Sequence, residues 1–314
     1  MESVPVLFLV FNRPDTTKRV FDAIRQYQPQ QLFIAADGPR SSRVGESELC
    51  EETRAIASAV DWDCAVKTLF RQENLGCRNA VSQGISWFFS SVDQGIILED
   101  DCLHDASFFS FCEQMLERYS ADSKVGHVSG NNFLPRDSAT SGTYRFSAIN
   151  HIWGWATWSR AWRLYDVDLK NRQSLSDSCL KGLLGEAQEN REYWKDKFER
   201  SSSGALDTWD YQWTFTLWLN GMLSITPEKN LVTNLGFDSR ATHTTASDAS
   251  GANLKLESLM SVIHPSCLLA DFDADMEVLK THYGIHPAQK LTLYRKTRRT
   301  LGQFVRKVLR LERK

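Results

Sequence analysis

Gln94-Gly95-Ile96-Ile97-Leu98-Glu99-Asp100-Asp101 is an apolar run of strand length that stops in three adjacent carboxylates. A short apolar run bounded by polar residues reads as a buried strand. Acids just past its end sit where an open parallel sheet places its ligands. Four more runs of this kind flank it, at 4–11, 31–37, 65–70 and 124–130. Between them Val20, Ile24 and Tyr27, then Val81, Ile85 and Phe88, then Phe108, Phe111, Met115 and Tyr119 recur at helical spacing. This alternation predicts an α/β chain with a mostly parallel sheet covered by helices on both faces. The polar clusters left at strand ends are Asn12-Arg13-Pro14-Asp15, Asp37-Gly38-Pro39-Arg40, Asn74–Asn79 and Glu99-Asp100-Asp101. They are expected to converge on one crevice.

The chain has 314 residues, 42% apolar and 24% charged, the composition of a soluble globular protein rather than a disordered or membrane-spanning one. Its net charge of −2 hides an asymmetry. Residues 289–314 carry ten Lys and Arg against Glu312, leaving 27 basic and 38 acidic residues for positions 1–288. An acidic body repels phosphates, which disfavours a nucleic-acid partner. Seven cysteines without a C-x-x-C pair indicate neither a disulfide framework nor a zinc knuckle. The expected location is a reducing cytoplasm, with no leader or apolar span in view.

Three carboxylates in a row repel one another unless a cation or hydrogen-bond donors compensate. Mg²⁺ or Mn²⁺, held by one or two carboxylates plus substrate phosphates, is one remedy. The alternative is that Asp101 or Asp105 caps a helix at 106–119. Arg13 and Arg78 fall just past strand ends, where a guanidinium grips phosphate, and Asp37 is placed to accept from a ribose hydroxyl or a base N–H. Neither a dinucleotide fingerprint after the first strand nor a P-loop occurs. Eight of the ten tryptophans lie between Trp153 and Trp218, so the second half is built differently from the first. Asp210 stands beside Trp209 and near Trp213, a setting that suits a general base or, equally, a polar neighbour of a buried helix face. Trp155, Trp158 and Trp162 read as a helix stripe.

Taken in order, Phe11–Pro14, Ala36–Arg40, Asn74–Arg78, Ile97–Cys102 with Phe108-Phe109, Val128–Asn132, Trp153-Gly154-Trp155, Trp209-Asp210 and Pro227–Asn230 resemble the GT-A glycosyltransferases. The likeness is to bacterial relatives of the N-acetylglucosaminyltransferase-I group, and it covers roughly residues 4–245. The resemblance implies a Rossmann-like GT-A fold and an inverting, metal-dependent hexosyl- or N-acetylhexosaminyltransferase using a nucleotide-diphosphate sugar, a UDP-sugar in the first instance. It implies Mn²⁺ or Mg²⁺ on Asp101 with His243 as a further ligand, and Asp100 near ribose and donor sugar. Glu99 falls near the nucleotide, Arg13 and Asp37 near uridine, and Asp210 stands as the catalytic base.

The expected division is a catalytic domain at 1–288 and a basic tail at 289–314. The domain has a nucleotide-sugar half at 1–130, an acceptor-side half at 131–250 and a closing segment at 251–288. In the tail Leu301, Phe304, Val308 and Leu311 share one helix face, which suits residence on an anionic membrane surface, on the inner face of the cytoplasmic membrane. A glycan or lipid-linked acceptor in surface polysaccharide assembly fits that setting. The competing readings are a nucleotidyltransferase, which needs a second metal carboxylate from another strand, and a non-enzymatic Trp-rich sugar-binding module at a membrane.

Overall fold

Val6–Val10 (β1) is apolar at every position because both faces of the strand are covered. The computed structural model describes residues 3–134, 142–236 and 254–286. With β2 (Gln31–Ala36), β3 (Ala65–Phe70) and β4 (Gln94–Glu99), β1 forms a parallel sheet in the order β3-β2-β1-β4. Later in the chain come β5 (Cys102–His104), β6 (Val125–Ser129), β7 (Tyr144–Ser147), β8 (Trp155–Trp158), β9 (Leu223–Pro227) and β10 (Val232–Asn234). β8 lies between β4 and β6, antiparallel to both. β6 pairs parallel with β9, and β7 closes the edge antiparallel to β9. Six of the eight strands in this sheet therefore share one direction, and the α/β, Rossmann-like, mostly parallel arrangement is as expected. β5 and β10 form a separate antiparallel pair.

The period-two alternation of β1 decides which helices cover which face. Val6, Phe8 and Val10 pack with Val20 and Ile24 of α1 (Pro14–Tyr27), and with Phe108, Phe111 and Met115 further along. The reverse face carries Leu7 and Leu9. These meet Ile85 and Phe88 of α3 (Gly76–Phe89), while α2 (Glu46–Ala57) contributes Ala57 to the first face. Phe108, Phe111 and Met115 belong to α4 (Ser107–Arg118). Pro14 at the first position of α1 and Asp15 in its first turn suit a helix start, since Pro lacks only an N–H that is unpaired there anyway. Asp105 Oδ1 accepts from Ser107 N at 2.8 Å and from Ser107 Oγ at 2.6 Å. The capping role next to α4 thus belongs to Asp105, and Asp101 is left for the cavity.

The expected helix stripe of Trp155, Trp158 and Trp162 is corrected. Trp155 and Trp158 lie on β8, and only Trp162 is helical, in the short α5 (Ser159–Trp162). Three residues apart on a strand, Trp155 and Trp158 point to opposite faces and join different core clusters. Both are buried, as core packing requires. The second half adds α6 (Asp177–Leu184), α7 (Gln188–Ser202), α8 (Asp210–Leu219) and α9 (Phe272–Thr281). These helices share a third cluster that includes Leu184, Trp194, Phe198, Trp218 and Leu279.

α8 is tied to the sheet through aromatic rings. Trp155 stacks on Trp209 with centroids 5.5 Å apart and lies 5.0 Å from His127 of β6. Trp213 Nε1 donates to His127 Nδ1 at 3.0 Å. An indole N–H is only a donor, so Nδ1 is unprotonated and Nε2 carries the hydrogen, which it donates to His151 O at 2.9 Å. Burial pushes His127 down to about 3, so the ring stays neutral. Truncation of Trp155 to Ala is expected to cost about 3–5 kcal/mol of stability, the usual loss for a fully buried Trp. Denaturant unfolding checks this, and a loss under about 1 kcal/mol would show that the cluster is not what anchors α8.

Candidate active site

The C-terminal ends of β1, β2, β3 and β4 open into one cavity of about 860 Å³. Its strand-end wall includes Arg13, Asp37, Arg40, Arg71, Asn74, Glu99, Asp100 and Asp101, so the four polar clusters do converge. Asp207 and Asp210 line it from the region of α8. Arg78 does not line it, because its NH2 donates to Val167 O at 2.7 Å and to Asp168 Oδ1 at 3.0 Å. His243 and the tail at 289–314 lie outside the described residues.

Each acid of the triplet has a different surrounding. Asp100 Oδ2 accepts from Phe11 N at 2.9 Å, tying the end of β4 to the end of β1. Asp101 Oδ2 pairs with Arg13 NH1 at 3.2 Å and Asp101 Oδ1 accepts from Asn234 Nδ2 at 3.3 Å. The chain closes over Asp101 through Leu235 N, which donates to Asp101 O at 2.7 Å. A Cβ at Gly236 would sit 2.3 Å from Asp101 Oδ2, so only glycine permits this approach. Burial, then Asp101, Asp100 and Asp210, hold the Glu99 carboxyl well above the usual range. Burial and then Asp101 push Asp100 up to about 7. Burial raises Asp101 as well, with Arg13 acting in the opposite sense.

Asp37 is committed to its own loop. Its Oδ1 accepts from Gly38 N and Leu75 N at 2.9 and 3.0 Å. Its Oδ2 accepts from Asn74 Nδ2 at 2.9 Å and Gly76 N at 3.2 Å. A carboxylate offers about four lone-pair sites, so Asp37 shapes the 74–76 loop at the cavity wall. Asp207 is likewise a structural acceptor. Its Oδ2 accepts from Cys77 N at 3.1 Å and its Oδ1 from Arg78 N at 3.0 Å, capping α3 from a distant segment. It precedes α8, which begins at Asp210. Gly76 adopts φ +77, and a Cβ there would meet Asp207 Oδ2 at 2.7 Å.

Asp210 is the first residue of α8, and its Oδ1 accepts from Thr208 Oγ1. Trp209 and Trp213 beside it are core residues, so neither is an exposed platform for sugar. Sequence reasoning missed Arg71, which follows β3 directly and obeys the same strand-end rule that singled out Arg13. It also missed Lys197 and Tyr193, for which helix α7 and its charged run gave no signal, and the part that Tyr211 of α8 plays in the cavity.

Among the described residues no three His, Cys, Asp or Glu side chains are gathered as a metal-holding group. The three acids nevertheless offer carboxylate oxygen, beside Cys102 Sγ at 3.6 Å from Asp101 Oδ1, and Arg13 acts against the raised proton affinity of Glu99 and Asp101. That suits a hard divalent cation completed by substrate phosphates, which needs no full protein cage.

No protein-family model matches the chain, and no curated protein matches it. Among solved structures it is similar to mouse xyloside xylosyltransferase 1 in the apo form, at TM-score 0.35 and 10% identity over 68% of this chain and 80% of that one. It is also similar to HddC from Yersinia pseudotuberculosis, at 0.31 and 10% over 50% and 78%. An apo UDP-glucose pyrophosphorylase gives 0.32 and 8% over 71% and 90%. Likenesses this distant carry no weight for function, which has to come from the cavity's own side chains.

The raised carboxyls make a pH prediction. A folded pKa above the unfolded value means the native state keeps a proton that the unfolded chain has released, so stability falls as pH rises between the two. In chelator, the acidic cluster should make the protein lose stability from about pH 4 to about pH 7, with Asp100 at about 7 setting the upper limit of its share. Asp100→Asn, which keeps an acceptor for Phe11 N, should shrink that loss. Denaturant midpoints across this window test it, and an unchanged slope in the variant contradicts it.

Proposed function

We propose that this chain is an inverting, metal-dependent glycosyltransferase that moves a sugar from a nucleotide-diphosphate sugar, a UDP-sugar, to an acceptor hydroxyl. The observation that carries the reading is the shared cavity: Glu99, Asp100 and Asp101 at the end of β4 on one wall, and Asp210 at the start of α8 on another. Asp210 is near enough for its charge to raise the Glu99 carboxyl. The guanidinium groups of Arg13, Arg40 and Arg71 on the strand-end wall suit a nucleotide diphosphate.

Asp101 would hold the cation, with His243 proposed as a further ligand. Bound there, Mn²⁺ or Mg²⁺ supplies positive charge opposite the departing diphosphate. The protein's part begins with Asp210, which takes the acceptor hydroxyl proton as the new C–O bond forms and the bond from the anomeric carbon to the diphosphate breaks. Attack from the face opposite the leaving group inverts the anomeric centre. A nucleotidyltransferase would need a second metal carboxylate from another strand. Asp37 is the one at the end of β2, and both of its oxygens hold the 74–76 loop.

Two substitutions separate donor binding from chemistry. Asp101→Asn should remove the Mn²⁺ dependence of UDP binding in a folded protein; calorimetry with unchanged metal-dependent affinity would remove Asp101 from this role. Asp210→Asn should keep UDP binding and lower transfer by about 10²–10⁴-fold, the usual share of a positioned base. Near wild-type turnover would overturn its assignment. Asp207→Ala should instead lower stability by about 0.5–2 kcal/mol through the lost cap.

A further inference from the structure

The end of the cavity farthest in sequence from the strand-end loops is lined by aromatic rings in contact with one another. Trp153 lies 5.0 Å from Phe133, and Phe133 stacks on His282 at 3.5 Å. Tyr283 lies 5.8 Å from Tyr193, whose hydroxyl is 3.4 Å from that of Tyr211. Asp210 precedes Tyr211 in α8, and burial first, with Asp210 among the smaller causes, raises both Tyr193 and Tyr283. Asp210 lines the same cavity as Glu99 and these aromatic residues.

Lys197 of α7 lines this aromatic end. Its side chain is only 20% exposed, which is unusual for lysine without a close anion. The ammonium rests over the rings of Tyr193 at 5.0 Å and Tyr211 at 5.9 Å. Its one carboxylate contact among the described residues is Asp196 Oδ2 at 4.0 Å, an oxygen that Arg200 also approaches at 3.7 Å. Hydrogen-bonding capacity remains nearby. One end of the Asn150 amide meets Thr214 Oγ1 at 2.8 Å, and buried His151 Nε2 has no partner among the described residues. Both residues line the cavity.

We infer that this end binds an acceptor sugar carrying an acidic group, with its ring against the aromatic wall and its carboxylate or phosphate on Lys197. Aromatic faces cover sugar C–H surfaces, free amide and imidazole groups bond hydroxyls, and a half-desolvated ammonium rewards an anion more than a neutral group. The inference deepens the transferase reading and rests on it.

Saturation-transfer NMR with glucuronate, glucose 6-phosphate and glucose on the full chain tests it, with UDP and Mn²⁺ titrated separately into the wild type to test the donor reading. At least one acidic sugar should bind, the better one naming the carboxylate or phosphate source, and glucose should bind about tenfold more weakly or worse. Lys197→Met should lose that preference at an unchanged melting temperature, and Lys197→Arg should keep it. Glucose binding as well as the acidic sugars, no binding of either acidic sugar, or an unaltered preference in Lys197→Met overturns the inference. Weaker UDP binding in Lys197→Met also overturns it, because the ammonium would then serve the donor. Failure of UDP to bind the wild type counts against the transferase reading alone.

Discussion

Three carboxylates at the end of one strand, in a cavity that withdraws them from water, set the terms for everything around them. Each unit of charge there is costly, and the protein answers with a different device for each acid. Asp100 is held by the Phe11 amide, Asp101 by Arg13 and Asn234, and Glu99 is left to carry a raised proton affinity. Crowding of this kind is unfavourable for folding alone. Under the proposed function, a cation and a phosphate-bearing donor would offset it.

The fold supplies this arrangement at little further cost. Parallel strands bring their C-terminal loops to one edge, so Arg13, Asp37, Arg71, Asn74 and residues 99–101 meet without being neighbours in sequence. The second half brings α8 to the same place by a different route. β8 runs antiparallel beside β4, and the Trp155, His127 and Trp213 contacts lock the helix that begins with Asp210 against the sheet. Trp155, Trp209 and Trp213 thus act through packing, and these buried rings position a carboxylate instead of meeting a sugar themselves.

The first four strands and the helices between them were legible because each has an unbroken apolar period and polar punctuation. β1 to β4 fall within or coincide with the expected runs. β8 was not legible, since Trp155 and Trp158 at a spacing of three fit a helix face as well as the two sides of a strand. At the site, the acidic triplet and Asp210 could be singled out from type and place. The sequence had no way to reveal that Asp37 and Asp207 hold backbone amides from loops about 40 and 130 residues away, because such partners are fixed only by the tertiary fold. Lys197 was hidden for a similar reason. On a polar helix it is one cation among several, and only the fold lays it over two tyrosines beside the cavity.

The claim that the cavity transfers sugar from a nucleotide sugar is tested most directly by the identity of the released nucleotide. The purified chain is incubated with a panel of UDP-sugars in Mn²⁺, with and without chelator, and the products are resolved by mass spectrometry. Slow release of UDP from at least one donor, lost in chelator, is the predicted result. Formation of UTP when pyrophosphate is added, or no nucleotide release from any UDP-sugar, would contradict it.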